Sequence, residues 1–254
     1  MAALDSHCHL DLMEQPVADA VAAARAVGID RLVTVGIDVE SSRWQVDAAA
    51  AHEHVYATVA IHPNEAATAD EAAYAAIDDL AARDEVVAVG ETGLDHFRTP
   101  ADGWRQQEES FRRHIDIAKR TGKALVIHDR DAHDDVLRVL DSEGAPEHVV
   151  FHCFSGDADF AKRRADRGYV MSFAGNVTFK NADDLRAAAG LAPAELLLVE
   201  TDAPFLTPMP HRGRPNAPYL VPLTVRALAE VRDARADEVA AAVSATAARV
   251  FGWA

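Results

Sequence analysis

Short β-branched apolar runs alternate along the chain with longer stretches in which Ala, Leu and Arg recur at helical spacing. This alternation is typical of repeated βα units around a parallel sheet. The predicted strands cover residues 4–9, 31–37, 55–61, 86–91, 124–128, 148–152, 169–173 and 196–201. The pattern therefore predicts an α/β protein with eight parallel strands.

A helical stretch follows each predicted strand. These stretches cover residues 17–27, 41–51, 70–83, 104–120, 134–142, 157–167, 183–189 and 223–232, and an extra C-terminal helix covers residues 237–251. The proline-rich residues 204–222 predict one long loop over the mouth of a barrel. A length of 254 residues matches the ~250 residues that are typical of a (β/α)₈ barrel. We predict a single barrel of the TIM type in one domain, residues 1–254.

Composition and charge bear on the cellular location of the protein and on its binding partners. The sequence has no run of ~18 apolar residues, and its first residues form neither a basic nor an apolar leader. We therefore predict a cytoplasmic protein that binds no membrane, with Cys8 and Cys153 as reduced thiols. No obligate protein partner is inferred. The net charge of −16 opposes sequence-independent attraction to nucleic acid, which comes from Lys and Arg.

Chemistry-bearing side chains collect at the ends of five predicted strands. They are His7, His9, Glu91, His128, His152 and Asp202. In a (β/α)₈ barrel the C-terminal ends of the strands meet at one face, where catalytic groups collect. Residues two apart on a strand point the same way, so His7 and His9 can bind the same ion. The sequence predicts that all six side chains converge on a metal centre.

The ligand set favours two divalent cations. Imidazole with carboxylate suits Zn²⁺, Mn²⁺ or Fe²⁺, whereas Mg²⁺ prefers oxygen ligands. A single ion with an open position rarely needs six protein ligands. We assign the ligands as His7, His9 and Asp202 on one ion, His128 and His152 on the other, and Glu91 as the bridge. Two ions ~3.5 to 4 Å apart can hold a hydroxide for an in-line displacement, which predicts hydrolysis with Asp202 as the proton acceptor.

Six motifs in this order resemble the TatD-type metal-dependent deoxyribonucleases, a branch of the amidohydrolase-like barrels. They lie at residues 5–11 (DSHCHLD), 60–63 (AIHP), 90–95 (GETGLD), 126–130 (VIHDR), 152–156 (HCFSG) and 200–204 (ETDAP). The resemblance covers nearly the whole chain. It implies metal-dependent cleavage of DNA as the substrate, by removal of nucleotides from single-stranded or frayed ends. It also implies that His62 and Arg130 lie near the scissile phosphate, and that Mg²⁺ is a further candidate metal.

Two positions depart from the family pattern. His96 stands where the family usually has Tyr, and Ala217 lies in a Pro-Asn-Ala-Pro segment where the family usually has Arg-Asn-Glu-Pro. Both departures bear on substrate identity and loop anchoring. Phe179 and Lys180 follow the seventh predicted strand, where an aromatic ring and a charge can hold a single-stranded end. We predict that His114 lies on the surface and that Asp5 supports the ligands from behind.

Two rival functions remain open. A hydrolase of a small amide, lactone or phosphoester would use the same barrel and ions, because fold and site do not fix the substrate. The negative charge and the altered mouth loop favour this alternative. The other rival is a binding protein whose ions only stabilise the barrel, although two ions on six protein ligands keep positions open for water and substrate.

Overall fold

The computed structural model describes residues 3–253, and Met1, Ala2 and Ala254 lie outside this range. The strands are β1 (Ala3–Cys8), β2 (Ile29–Val35), β3 (Val55–Val59), β4 (Val86–Asp95), β5 (Ala124–Arg130), β6 (Val149–Phe151), β7 (Val170–Phe173) and β8 (Leu197–Val199). The α-helices of residues 3–253 are α1 (Val17–Ala26), α2 (Val39–Ala51), α3 (Glu71–Ala81), α4 (Trp104–Thr121), α5 (His133–Glu143), α6 (Ala158–Ala165), α7 (Asp183–Leu191), α8 (Val221–Val231) and α9 (Ala236–Phe251).

The strands form one sheet whose order follows the chain from β1 to β8. Cys8 at the end of β1 also pairs in parallel with Ala203, which follows β8. The predicted (β/α)₈ fold with an extra C-terminal helix is therefore confirmed. No helix within the described range is long and apolar enough to cross a membrane.

Two compact units emerge from the contacts within the chain. The first unit contains the residues up to Thr34, His52–Val55 and the residues from His152 onward. In it, β1 pairs with β2 through Asp5 and Leu32, and β7 pairs with β8 through Ser172 and Leu198. Helix α9 packs against β1 and β8. This unit carries the N-terminal histidines and the long mouth loop.

The second unit contains Val35–Ala51 and Tyr56–Phe151, with β3 to β6 side by side. Its strand β4 runs four residues beyond the predicted end at residue 91, and Gly93 pairs there with His128 of β5. A Cβ atom at Gly93 would collide with the carbonyl oxygen of His128, and its φ of 134° suits glycine. Glycine therefore lets the two backbones approach and extends β4 as far as Asp95.

His114 is fully buried on α4, so the prediction that it lies on the surface was wrong. Its Nε2 accepts a hydrogen bond from the backbone N–H of Ile61 at 2.9 Å, and its Nδ1 donates to the carbonyl oxygen of Ser110 at 2.7 Å. Burial lowers the pKa of His114 to about 4, and nearby Arg113 adds to the effect. The neutral imidazole thereby holds the backbone just before His62.

Acid should destabilise the fold through His114. Its pKa falls from 6.5 in the unfolded chain to about 4 in the folded protein, so the unfolded chain binds more protons between these values. The contribution of neutral His114 to the free energy of unfolding is therefore complete above about pH 6.5. It falls by about 3 kcal/mol as the pH is lowered towards 4. We expect urea unfolding of H114Q, whose amide can replace both hydrogen bonds, to lack this part of the pH dependence. Parallel stability curves for the two proteins from pH 7 to pH 4 would contradict the assignment.

Candidate metal centre

Three buried histidines and one partly exposed aspartate of the first unit form a group, the His7 cluster, which consists of His7, His9, His152 and Asp202. His7 lies on β1, His9 follows it, His152 follows β6, and Asp202 follows β8. The rings of His7 and His152 are stacked, with centroids 3.9 Å apart. Each member comes from the C-terminal end of a strand, as the sequence predicts.

The atoms of the His7 cluster are spaced as ligands of one cation. The Nε2 atoms of His7 and His9 lie 3.8 and 3.6 Å from Oδ1 of Asp202. Candidate ligand atoms of His7, His152 and Asp202 all lie within 4.8 Å of one another. Nitrogen and oxygen ligands in a tetrahedral zinc site lie about 3.4 Å apart, given metal–ligand distances of about 2.0 to 2.2 Å. The donor set and its spacing therefore fit a divalent cation.

Asp202 has the electrostatic surroundings of an ionised ligand. Burial acts to raise its pKa, but a hydrogen bond from His9 and the charges of His7 and His152 outweigh burial and lower the pKa below its ordinary value. Its backbone N–H donates to the carbonyl oxygen of His7 at 2.9 Å, and its φ is 54°. This left-handed backbone is rare outside glycine and is found at functional sites. The contact with β1 fixes the carboxylate next to the histidines.

Glu200 is a fully buried carboxylate behind His152 that the sequence analysis did not include in the site. Its Oε1 lies 3.3 Å from Nδ1 of His152 and accepts the backbone N–H of Cys153 at 2.7 Å. A carboxylate oxygen only accepts, so Nδ1 of His152 carries the hydrogen and Nε2 carries the lone pair. Carboxylates in this position orient ligating histidines and raise their basicity.

Asp5 supports the cluster through the backbone. Its Oδ1 accepts the N–H groups of His7 at 3.3 Å and Thr201 at 2.9 Å, and its Oδ2 contacts the Thr201 hydroxyl. Burial raises the pKa of Asp5 to about 8, against the hydrogen bonds from Thr201. Asp5 therefore ties β1 to the segment after β8, as a support rather than a ligand.

The Glu91 cluster of the second unit consists of His62, Glu91, Asp95 and His128. Nε2 of His62 lies 3.4 Å from Oε1 of Glu91, and Nδ1 of His128 lies 2.8 Å from the same oxygen. The candidate ligand atoms of His62, Glu91 and His128 lie within 4.8 Å of one another. A second group of metal-binding residue types therefore surrounds Glu91.

Asp95 orients His128 as Glu200 orients His152. Its Oδ2 lies 3.1 Å from Nε2 of His128, and its Oδ1 accepts the backbone N–H of Arg98 at 2.7 Å. Burial acts to raise the pKa of Asp95, but these hydrogen bonds outweigh it and hold the pKa well below the ordinary range. The ionised Asp95 accepts from Nε2 of His128, which directs Nδ1 to the side of Glu91.

His62 has the tautomer of a hydrogen-bond donor towards Glu91. Its Nδ1 accepts the backbone N–H of Asn64 at 3.1 Å, so the hydrogen of the neutral ring lies on Nε2. That nitrogen faces Oε1 of Glu91. A protonated ring nitrogen cannot bind a cation, which sets His62 apart from His128 within the cluster.

Arg130 and the two departures from the family pattern have defined contacts. The guanidinium of Arg130 lies 4.1 Å from the ring centroid of Phe97, and His96 stacks on Trp104 with centroids 3.8 Å apart. In the mouth loop, Asn216 donates to the carbonyl oxygens of Thr201 and Phe205. Asn216 thus anchors the loop next to the buried Ala217.

Within the first unit the structure brings His7, His9, His152 and Asp202 together, and within the second unit it brings Glu91 and His128 together. The sequence predicts His152 as a ligand of the same ion as His128; in the structure the ring of His152 stacks on that of His7, and the division of the ligands between two ions stays a prediction. Glu91 as a bridge between two ions stays a prediction from the sequence.

Comparison with known proteins identifies the family. The sequence profile described as TatD related DNase matches residues 4–252. The chain belongs to the TatD family. It is 49% identical over 98% of its length to the uncharacterized metal-dependent hydrolase TatD of Mycobacterium tuberculosis, covering 97% of that protein. It is 37% identical over 99% of its length to the uncharacterized metal-dependent hydrolase YcfH of Escherichia coli K12, covering 96% of that protein.

A solved structure agrees with the TatD assignment. The crystal structure of YJJV, a TatD homologue from Escherichia coli K12, superimposes with a TM-score of 0.91 at 27% identity and covers 98% of both chains. The predicted family and the predicted class, a metal-dependent hydrolase, are therefore confirmed.

Removing the charge of Glu200 should weaken metal binding without unfolding the protein. In E200Q the amide side chain has nearly the same size as the carboxylate, but it lacks the negative charge that holds the Nδ1 hydrogen of His152. Loss of such a partner typically weakens metal affinity 10- to 100-fold, which a competition titration of Zn²⁺ against a chromophoric chelator would measure. The control is E195Q, an exposed glutamate nearby. Equal Zn²⁺ affinity of both variants would contradict the role of Glu200.

Proposed function

We propose that this TatD-family protein is a deoxyribonuclease that hydrolyses phosphodiester bonds at single-stranded or frayed ends of DNA. The main support is the spacing of His7, His9 and His152 around the Asp202 carboxylate. The family description, TatD related DNase, points to the same bond.

Divalent cations fit both clusters by their chemistry. The His7 cluster offers imidazole nitrogens and a carboxylate, a combination that suits Zn²⁺ or Mn²⁺, with Mg²⁺ as the third candidate. Bound cations would lower the pKa of water and neutralise charge on the phosphate. We assign His7, His9, His152 and Asp202 to one cation, and Glu91 and His128 to a second, with Glu91 as the predicted shared ligand.

The surrounding side chains supply hydrogen bonds and proton transfer. We propose that Nε2–H of His62 donates to a non-bridging phosphate oxygen, because its Nδ1 is engaged by the backbone of Asn64. Arg130, held against Phe97, has the planar donors that bind phosphate oxygens in pairs. The Asp202 carboxylate accepts the proton of the attacking water. Donors aimed at developing charge stabilise the transition state more than the ground state.

A second candidate is hydrolysis of a small phosphoester, amide or lactone. The net charge of −16 favours it, because a long polyanion is repelled more strongly than a small ester. The same side chains would act on either substrate. The two candidates therefore differ in what binds beyond the scissile bond.

Nucleotide release from end-labelled DNA tests the main proposal. We expect protein reconstituted with Mn²⁺, Zn²⁺ or Mg²⁺ to release mononucleotides, and D202N to lose at least 100-fold in kcat, since a lost general base costs about 10²- to 10⁴-fold. E91A should lose activity entirely while keeping its circular dichroism spectrum.

The control is D183N, which changes an exposed aspartate. A panel with a chromogenic phosphodiester and a cyclic amide runs in parallel. Turnover of the small substrates without release of nucleotides would replace the main proposal by the second candidate. Full activity in E91A would instead remove Glu91 from the catalytic centre.

Replacing His62 should show whether its side chain donates a hydrogen bond to the substrate or binds a cation. We expect H62Q to lower kcat/KM by about 10²- to 10³-fold, the usual cost of one donor to transition-state charge. Its affinity for Mn²⁺ should stay within twofold of wild type, because the proton on Nε2 excludes His62 from the ligand set. Kinetics on labelled DNA and a Mn²⁺ titration of the same preparation measure both quantities.

H52Q is the matched control, since His52 precedes β3 at the opposite end of that strand from His62. A loss of Mn²⁺ affinity in H62Q as large as the loss in H128Q would make His62 a ligand instead.

A further inference from the structure

A pocket of about 540 Å³ lies on the loops that follow β6 and β7 in the first unit. This volume falls within the range of roughly 300 to 1,000 Å³ that is usual for small-molecule sites. Phe154 lines the pocket and lies two residues after His152, so the Cα atoms of these residues are at most about 7 Å apart. The mechanism proposed above does not use the pocket.

Aromatic rings form much of the pocket wall. Phe154, Phe160 and Phe179 all line it. The guanidinium of Arg212 lies 4.3 Å from the centroid of the Phe179 ring, and the Met209 N–H donates to the Thr178 hydroxyl at 2.8 Å. The mouth loop therefore holds the turn that carries Phe179. A rigid aromatic wall favours a flat, uncharged ring system as the ligand.

A buried hydrogen-bond acceptor indicates which polar group the bound ring system should carry. Asn176 lines the pocket from the turn after β7. Its side-chain oxygen Oδ1 is shielded from solvent, and no hydrogen-bond partner for it is found in residues 3–253. A buried acceptor without a partner costs free energy that a ligand N–H can recover. The ligand should therefore present an N–H group at its edge.

The charged side chains that line the pocket disfavour phosphate as its occupant. The charged side chains that line it are Asp157 and Asp184. Both would repel an anion, whereas they accept hydrogen bonds from amino groups. An aromatic wall with acceptors at its edge matches a nucleobase that carries an exocyclic amino group.

We propose that this pocket, lined by Phe154, Phe160, Phe179 and Asn176, receives the nucleobase next to the scissile phosphate. The inference deepens the proposed function and rests on it for the identity of the phosphate. The base stacks against the aromatic wall, and rotation of the Asn176 side chain presents Oδ1 to its amino group. His7, His9, His152 and Asp202 would then hold the cation that neutralises the phosphate of the same nucleotide.

Binding of a product-like nucleotide tests the pocket without any cleavage. The probe is the 5′-monophosphate of 2-aminopurine deoxyriboside, added to metal-reconstituted protein, with fluorescence quenching as the signal of stacking. We expect F179A and N176A each to raise the Kd of the probe by at least fivefold, since loss of a base stack costs roughly 5- to 150-fold. Deoxyribose 5-phosphate, which lacks a base, should compete equally well with wild type and both variants.

The control is L191A, which trims a side chain that is 67% exposed at the end of α7. It should bind the probe as wild type does. An unquenched probe, or a Kd that both pocket variants leave unchanged, would overturn the inference even in a protein that cleaves DNA. A protein that binds the probe through Phe179 and Asn176 but releases no nucleotides would retain the pocket and lose the proposed function.

Discussion

The candidate site depends on carboxylates buried behind its histidines. A carboxylate that is removed from water must accept hydrogen bonds, or its burial costs several kcal/mol. Glu200 meets this requirement with His152 and the Cys153 N–H, and Asp95 meets it with His128 and the Arg98 N–H. The same contacts that satisfy the carboxylates fix the imidazoles. Each cluster therefore has one histidine whose ring orientation is set before any cation binds.

Most of the fold could be predicted because periodicity records which face of each element is buried. The exceptions arose where one residue outweighed the local pattern. A glycine usually signals the end of a strand, yet the missing Cβ of Gly93 allows β4 to continue beside His128. His114 was expected at the surface because histidine is polar. Its spacing with Phe111, Ile115 and Ala118, which are all buried, did carry the signal of a buried helix face.

The ligand types could be predicted, whereas their supporting partners could not. Strand ends meet at one face by the topology of the fold, so histidines at those ends need no distance information. Asp95 contacts His128 only because Gly93 pairs with His128 in the register of β4 and β5. That register is set by the tertiary structure and does not follow from the local sequence pattern. Glu200 left a weaker signal, since it precedes Asp202 by two residues and shares the alternation of the strand end.

The charge of the protein constrains how a DNA end could be held. A net charge of −16 removes the nonspecific attraction that usually supplies most of the affinity for a polyanion. Under the proposed function, affinity must then come from cations at the scissile phosphate and from uncharged contacts with bases. Bases in a duplex are stacked and paired, so they offer such contacts only after unstacking, which costs a few kcal/mol. A protein of this kind therefore favours ends whose bases are already unpaired, and the acidic surface acts against binding to intact duplex.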